Sequence, residues 1–347
     1  MQAFQLLDWQ QPPALREVDV PEPSPGQVLL KVGGAGACHS DLHLMEWPAG
    51  QLPFAPPFTL GHENAGWVAA LGSGVEGLDV GDAVAVYGPW GCGRCRACRA
   101  SQENLCERQR EIGAFGGGLG RDGGMAPYML VPSPRLLIPL GDLDPREAAP
   151  LGDAALTPYH AIKRSLPILG PGTTAVVIGI GGLGQMAVQL LRALTSARIV
   201  AVDPSAPHRE RARACGADET LAPGPDAAAS ILERTAGRGA QLVLDVVGGD
   251  GTLELGRTVA AVGGHLTVLG LAGGSLTWSA MGVLPWECSL TSTYWGSAIE
   301  LVEVLDLARA GRIRTAVERY PLARAGDAYA ALREGRVAGR AVVCPNG

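Results

Sequence analysis

Cys92, Cys95, Cys98 and Cys106 hold half of the chain's eight cysteines within fifteen residues, separated by gaps of two, two and seven. Two-residue gaps let successive thiolates converge on one tetrahedral ion from a tight loop, and the fourth returns from the far side of that loop. Four protein ligands leave no open position, so the spacing predicts a structural zinc site in a lobe at about residues 88–110. A zinc tetrathiolate carries a net charge of about −2, and Arg94, Arg96 and Arg99 are placed to offset it. An iron–sulfur cluster is the competing occupant, but ferredoxin spacings differ and none of these four cysteines precedes a proline. The bland alternative is four independent thiols, which a Gly- and Arg-rich polar loop gives no reason to bury.

The stretch TTAVVIGIGGLGQMAVQLLRAL, from Thr173, carries a second chemistry. An apolar, β-branched run turns on Gly179-x-Gly181-x-x-Gly184, with Gly182 and Leu183 inside the motif, and continues at helical spacing through Met186, Leu190 and Leu194. The first glycine allows the tight turn, the second lets backbone approach a pyrophosphate, and the third lets helix pack on strand. A further strand, ARIVAVD, ends in Asp203, 19 residues past Gly184, where a carboxylate meets the adenosine ribose hydroxyls of NAD and repels a 2′-phosphate. QLVLDVVG, GHLTVLG and SLTSTYWG follow as later strands, with helical stretches between the earlier ones. The pattern predicts an α/β fold with a doubly wound parallel sheet of the Rossmann kind.

These elements sit in a chain of 347 residues, 47% hydrophobic and 18% charged, long enough for two ordinary domains. Its formal net charge is −6 and its arginines are scattered among acids, which argues against a nucleic-acid partner. No apolar run approaches the roughly 20 residues needed to span a bilayer, and the N-terminus lacks the basic and apolar regions of a signal peptide. A cytoplasmic protein without a membrane or nucleic-acid partner is expected, and in that compartment clustered thiols hold metal more readily than disulfides.

GACHSDLH, Gly36 to His43, and LGHENAG, Leu60 to Gly66, each set a metal-capable side chain in Gly-rich apolar sequence. With the four-cysteine lobe, the Rossmann core, and the closing GRAVV, they make the chain resemble the zinc-dependent medium-chain alcohol dehydrogenases over nearly its whole length. YGPWGC, LTPYHA and YWG extend the likeness to bacterial NAD-dependent secondary-alcohol dehydrogenases. The resemblance implies a mostly antiparallel, GroES-like catalytic domain over 1–151 and 298–347, carrying the zinc lobe, with an NAD-binding Rossmann domain over 152–297 inserted in it.

Carried over residue by residue, the resemblance implies a catalytic zinc held by Cys38, His62 and Asp153, the last standing where many members have cysteine. The alternative for Asp153 is an N-cap on the helix opening AALTPYHAI. Glu63 lies beside that ion without ligating it at rest, and Asp41 orients the His62 ring. Ser40 and His43 carry the released proton outward. His39, Phe54, Leu119, Tyr294 and Trp295 line a substrate pocket, and Arg340 contacts the cofactor pyrophosphate. The implied activity is reversible NAD-dependent oxidation of small apolar alcohols by a homo-oligomer, dimer or tetramer, with two zinc ions per chain. Secondary alcohols are favoured. Primary alcohols and aldehydes form the second substrate class, and a non-catalytic zinc- and nucleotide-binding regulator is the alternative outside enzymes.

Overall fold

The computed structural model describes residues 1–347 apart from 278 and 280, and the chain divides into two compact units. The first comprises Met1–Asp153, Gly296–Ala310 and Thr315–Gly347; the second comprises Ala154–Trp295 and Gly311–Arg314.

In the first unit a seven-stranded sheet forms around the long strand Val28–Ala37, which is buried at every position except Lys31. Glu63–Leu71 pairs with it antiparallel along one edge, and Tyr128–Val131 and Arg340–Cys344 pair antiparallel with successive stretches of the other. Val317–Pro321 joins parallel to Arg340–Cys344 and is the one parallel pairing in this sheet among the described residues. The strand Val28–Ala37 shifts register twice against Glu63–Leu71, between Leu29 and Leu30 and between Val32 and Gly34. Beyond the second shift Ala35 faces Asn64 and Gly36 faces Glu63. That register brings the end of one strand against the start of the next, and both carry chemistry.

The second unit is a six-stranded, wholly parallel sheet. Its spatial order is Glu219–Leu221, Arg198–Val202, Thr174–Ile178, Ala240–Asp245, Ala260–Val268 and Ser289–Ser292. Numbered along the chain this is 3-2-1-4-5-6, the doubly wound order. The near-continuous apolar strands are buried on both faces, Val176, Ile178, Val200, Val202, Val243 and Leu266 among them. The α/β architecture expected from the sequence is therefore present in both its parts. Among the described residues no helix is long and apolar enough to cross a membrane.

Candidate active site

Cys38 follows the strand Val28–Ala37 directly and occupies the N-cap of the helix His39–Glu46. His62 precedes Glu63–Leu71, and Asp153 ends the short turn Ala149–Gly152. Asp153 Oδ2 lies 3.8 Å from Cys38 Sγ and 3.6 Å from His62 Nε2. With Glu63 these groups offer four ligand atoms all within 4.8 Å of one another. The helix Leu156–Lys163 takes Ala155, not Asp153, as its N-cap residue, so the capping position proposed for Asp153 falls elsewhere.

Asp41 organises this cluster from behind. Its Oδ1 lies 2.9 Å from His62 Nδ1 and fixes the ring so that Nε2 faces Cys38 and Asp153. Its Oδ2 accepts the Cys38 backbone N–H at 3.0 Å and the Tyr329 hydroxyl at 2.9 Å. Burial works against a charge on His62, but the adjacent Asp41 carboxylate prevails and holds the imidazole well above its ordinary value. Ser40 Oγ stands 3.5 Å from His62 Nε2.

Glu63 and Arg340, 277 positions apart, form a buried ion pair through Oε1 and Nη2. Burial pushes the Glu63 carboxyl well up, against the pull of Arg340. Glu63 Oε2 has no hydrogen-bond partner among the described residues. A fully buried carboxylate oxygen left unbonded beside a thiol, an imidazole and a second carboxylate marks a place for a cation. Those donor types fit a zinc site with an open position. Arg340, expected at the cofactor pyrophosphate, is here bonded to Glu63.

The second cluster is the lobe cysteines, whose four sulfurs also lie within 4.8 Å of one another. Tetrahedral Zn–S bonds of about 2.3 Å place sulfurs roughly 3.8 Å apart, and the Cys92–Cys98 and Cys95–Cys98 separations are 4.0 and 3.4 Å. Backbone N–H groups of Cys92, Cys95, Cys98 and Arg108 point at the sulfurs at 3.3–3.5 Å, as they do toward thiolates. The Arg94 amide foremost brings the Cys92 thiol down to about 6. This loop is built for a closed metal site.

In the second unit the glycine turn follows its strand as the motif requires. Gly179 has φ +89°, and a Cβ on Gly184 would stand 1.9 Å from the Gly179 carbonyl oxygen. A Cβ on Gly181 would meet nothing within 4 Å, and the helix Gly182–Leu194 starts without a side-chain cap. A helix N-terminus with no side chain closing it and room beside Gly181 fits a phosphate. Asp203 accepts the Ile180 amide at 2.7 Å and the Ser205 amide at 2.8 Å, with His208 Nδ1 at 3.2 Å. It thus ties the second strand to the glycine turn. His208 went unnoticed in the sequence because a histidine in a helix's first turn carries no local signature.

Among the pocket candidates, Phe54 meets Phe58 and Phe115 edge to face at 5.7 and 5.4 Å, and Leu119 is half-buried. His39 is exposed and His43 half-buried on the helix His39–Glu46. Tyr294 and Trp295, in the second unit, pack edge to face at 5.2 Å.

The alcohol dehydrogenase GroES-like domain model matches residues 24–142, and the zinc-binding dehydrogenase model matches 182–310. D-arabinose 1-dehydrogenase (NADP(+)) of Saccharolobus solfataricus is 36% identical over 98% of this chain and 96% of its own length. An NAD-dependent alcohol dehydrogenase of Sulfurisphaera tokodaii is 35% identical over 99% and 100%. The crystal structure of the alcohol dehydrogenase of Aeropyrum pernix superposes with a TM-score of 0.91 at 35% identity, covering 99% of this chain and 100% of that one. The chain belongs to the zinc-dependent medium-chain alcohol dehydrogenases. The two clusters differ in donor type: four thiols in one, and a thiol, an imidazole and two carboxylates in the other. Besides His208, two residues around the Cys38 cluster were missed in the sequence. Tyr329 reaches Asp41 from 288 positions away. Gly36, read only as part of a Gly-rich run, leaves the space that the Glu63 carboxylate fills.

Proposed function

We propose that this dehydrogenase oxidises small apolar alcohols reversibly with NAD, secondary alcohols favoured, at a zinc held by Cys38, His62 and Asp153. The observation that carries the reading is the convergence of thiol, imidazole and carboxylate within 4.8 Å around a face bordered by the Ser40 hydroxyl. When bound, zinc supplies Lewis acidity to an alcohol or carbonyl oxygen, and NAD accepts or returns the hydride.

The chain's own residues do the rest. Cys38 and His62 are set by strand ends whose register is fixed by backbone pairing, and Asp41 keeps the His62 proton on Nδ1 so that Nε2 can ligate. Ser40 Oγ, beside Nε2, holds the substrate's hydroxyl proton, and His43 on the same helix receives it toward solvent. Glu63 stays paired with Arg340, a carboxylate in reserve beside the three ligands. Phe54 and Leu119 give the substrate an aromatic and aliphatic wall.

Asp203 favours NAD, because its carboxylate at the end of the second strand repels a 2′-phosphate. Homo-oligomeric association and cytoplasmic residence belong to the same proposal. They are supported by the exposed Leu290 on the edge strand Ser289–Ser292, the exposed Trp286 just before it, and eight free thiols.

The test is Asp153→Asn, assayed with NAD over a panel of primary and secondary alcohols. Loss of an anionic donor should remove or weaken the zinc and lower turnover by 10²-fold or so, on the scale of a lost acid–base or ligand function, with NAD binding near normal. Retention of the metal with near-normal turnover would reject Asp153 as a ligand and point to Glu63. A panel showing primary alcohols used as efficiently as secondary ones would overturn the substrate preference.

A further inference from the structure

Tyr329 lies on the helix Ala325–Arg333, near the end of the chain, with its ring buried and stacked on Phe4 at 6.1 Å and 17°. Phe4 is itself fixed in the strand Gln2–Leu6, and its amide bonds the Met125 carbonyl at 2.9 Å. The phenol therefore enters the site from a rigid mount. Its hydroxyl donates to Asp41 Oδ2 at 2.9 Å, with the weaker acceptor Met125 Sδ at 3.5 Å. Asp41 is fully buried and spends its other bonds on His62 Nδ1 and the Cys38 amide, that is, on two of the three proposed zinc ligands.

A carboxylate that must orient a ring with one oxygen can still rotate about its Cβ–Cγ bond unless the other oxygen is held. The Cys38 amide alone is a poor restraint, because it moves with the loop it is meant to fix. Tyr329 supplies a restraint from a different element. We infer that Tyr329 is a positioning residue for the catalytic metal: its hydroxyl fixes Asp41, and through Asp41 the His62 ring and the Cys38 turn. The competing account is that Tyr329 only packs against Phe4, in which case the ring matters and the hydroxyl does not.

This inference rests on the zinc reading proposed above, and the experiment separates the two. Zinc release from the purified full-length protein into excess chelator is followed for wild type, Tyr329→Phe and Tyr329→Leu, together with thermal midpoint. Tyr329→Phe keeps the stacked ring. It should leave the thermal midpoint close to wild type and release the lobe zinc at an unchanged rate, while the second zinc leaves roughly 10-fold faster, the lower end of what weakening the partner behind a metal ligand costs. Its kcat should fall with KM for NAD unchanged. Wild-type zinc release in Tyr329→Phe, with only Tyr329→Leu altered, would overturn the role of the hydroxyl and leave packing. Wild type that holds one zinc, in the lobe alone, would overturn the underlying assignment of the Cys38 cluster and this inference with it.

Discussion

Replacing Gly36 with alanine tests the site through its packing. A Cβ at Gly36 would lie 1.9 Å from Glu63 Oε2 and 2.9 Å from both Cβ and Cδ of Glu63. Gly36 sits in extended strand, so alanine is allowed by the backbone and the clash is the whole penalty. Glu63 is opposite it in the register and cannot move its backbone without tearing the sheet, so the carboxylate must swing and its bond to Arg340 must break. Both partners are buried, and breaking a buried charge pair costs about 3–5 kcal/mol. The shorter list of unfolded conformations available to alanine returns about 0.4–1 kcal/mol, leaving a net loss of roughly 2–4.6 kcal/mol by these figures. Urea unfolding of zinc-loaded wild type, Gly36→Ala, Glu63→Ala and the double variant forms a cycle. In the Glu63→Ala background the Gly36→Ala cost should fall below about 1 kcal/mol, because contacting residues are non-additive and the clashing group is gone. A Gly36→Ala protein within about 0.5 kcal/mol of wild type, well under the value expected for a broken buried pair, would refute both the clash and the worth of the pair.

Elemental analysis should find two zinc ions per wild-type chain and one in Cys95→Ala, which removes a lobe sulfur 3.4 Å from Cys98; that variant should lose stability or solubility well before it alters hydride transfer. One zinc in the wild type, or iron, would sink the two-site account. Asp203→Asn removes the charge while keeping an acceptor for only one of the two amides, since Ile180 bonds Oδ2 and Ser205 bonds Oδ1; the preference for NAD over NADP in kcat/KM should narrow about 10-fold, a loss of roughly 1.4 kcal/mol of repulsion. Equal use of both cofactors by the unmodified enzyme would show that Asp203 does not set the choice.

What the sequence disclosed follows the range over which each feature is determined. The glycine turn and the lobe are local: spacing alone requires Gly179 to turn and four thiols to converge, and both do so here. The parallel sheet was legible because its central strands Arg198–Val202, Thr174–Ile178 and Ala240–Asp245 are largely apolar, buried runs. Asp153 was reachable only by resemblance, since nothing within a few residues distinguishes a ligand from a cap; its partner Cys38 is 115 positions away. Arg340 shows the same limit from the other side. Only the resemblance carried by GRAVV placed it at the cofactor pyrophosphate, and its bond to Glu63 depends on the strand Arg340–Cys344 pairing beside Val28–Ala37. Gly311–Arg314 belongs with the second unit although its flanks belong with the first, because Arg314 exchanges two hydrogen bonds with Gln189 and Arg312 reaches the Ala193 carbonyl. No composition shift marks such a return.

The register shifts in Val28–Ala37 explain why the site's most buried features were the least legible. Side chains alternate across a strand with period two, so each irregularity resets which residues share a face. Without the shift between Val32 and Gly34, the residue opposite Glu63 would not be Gly36, and a side chain would fill the space its carboxylate now takes. The pair Glu63–Arg340 therefore requires a glycine, a bulge and a strand from the far end of the chain at once. Asp41 makes a parallel demand, drawing Cys38 and His62 from adjacent strands and Tyr329 from the last helix. Both carboxylates join the N-terminal ligand segments to the final thirty residues, so the last part of the first unit must be folded before the Cys38 cluster is complete. Loss of that C-terminal segment should abolish the cluster even though it removes none of Cys38, His62 or Asp153.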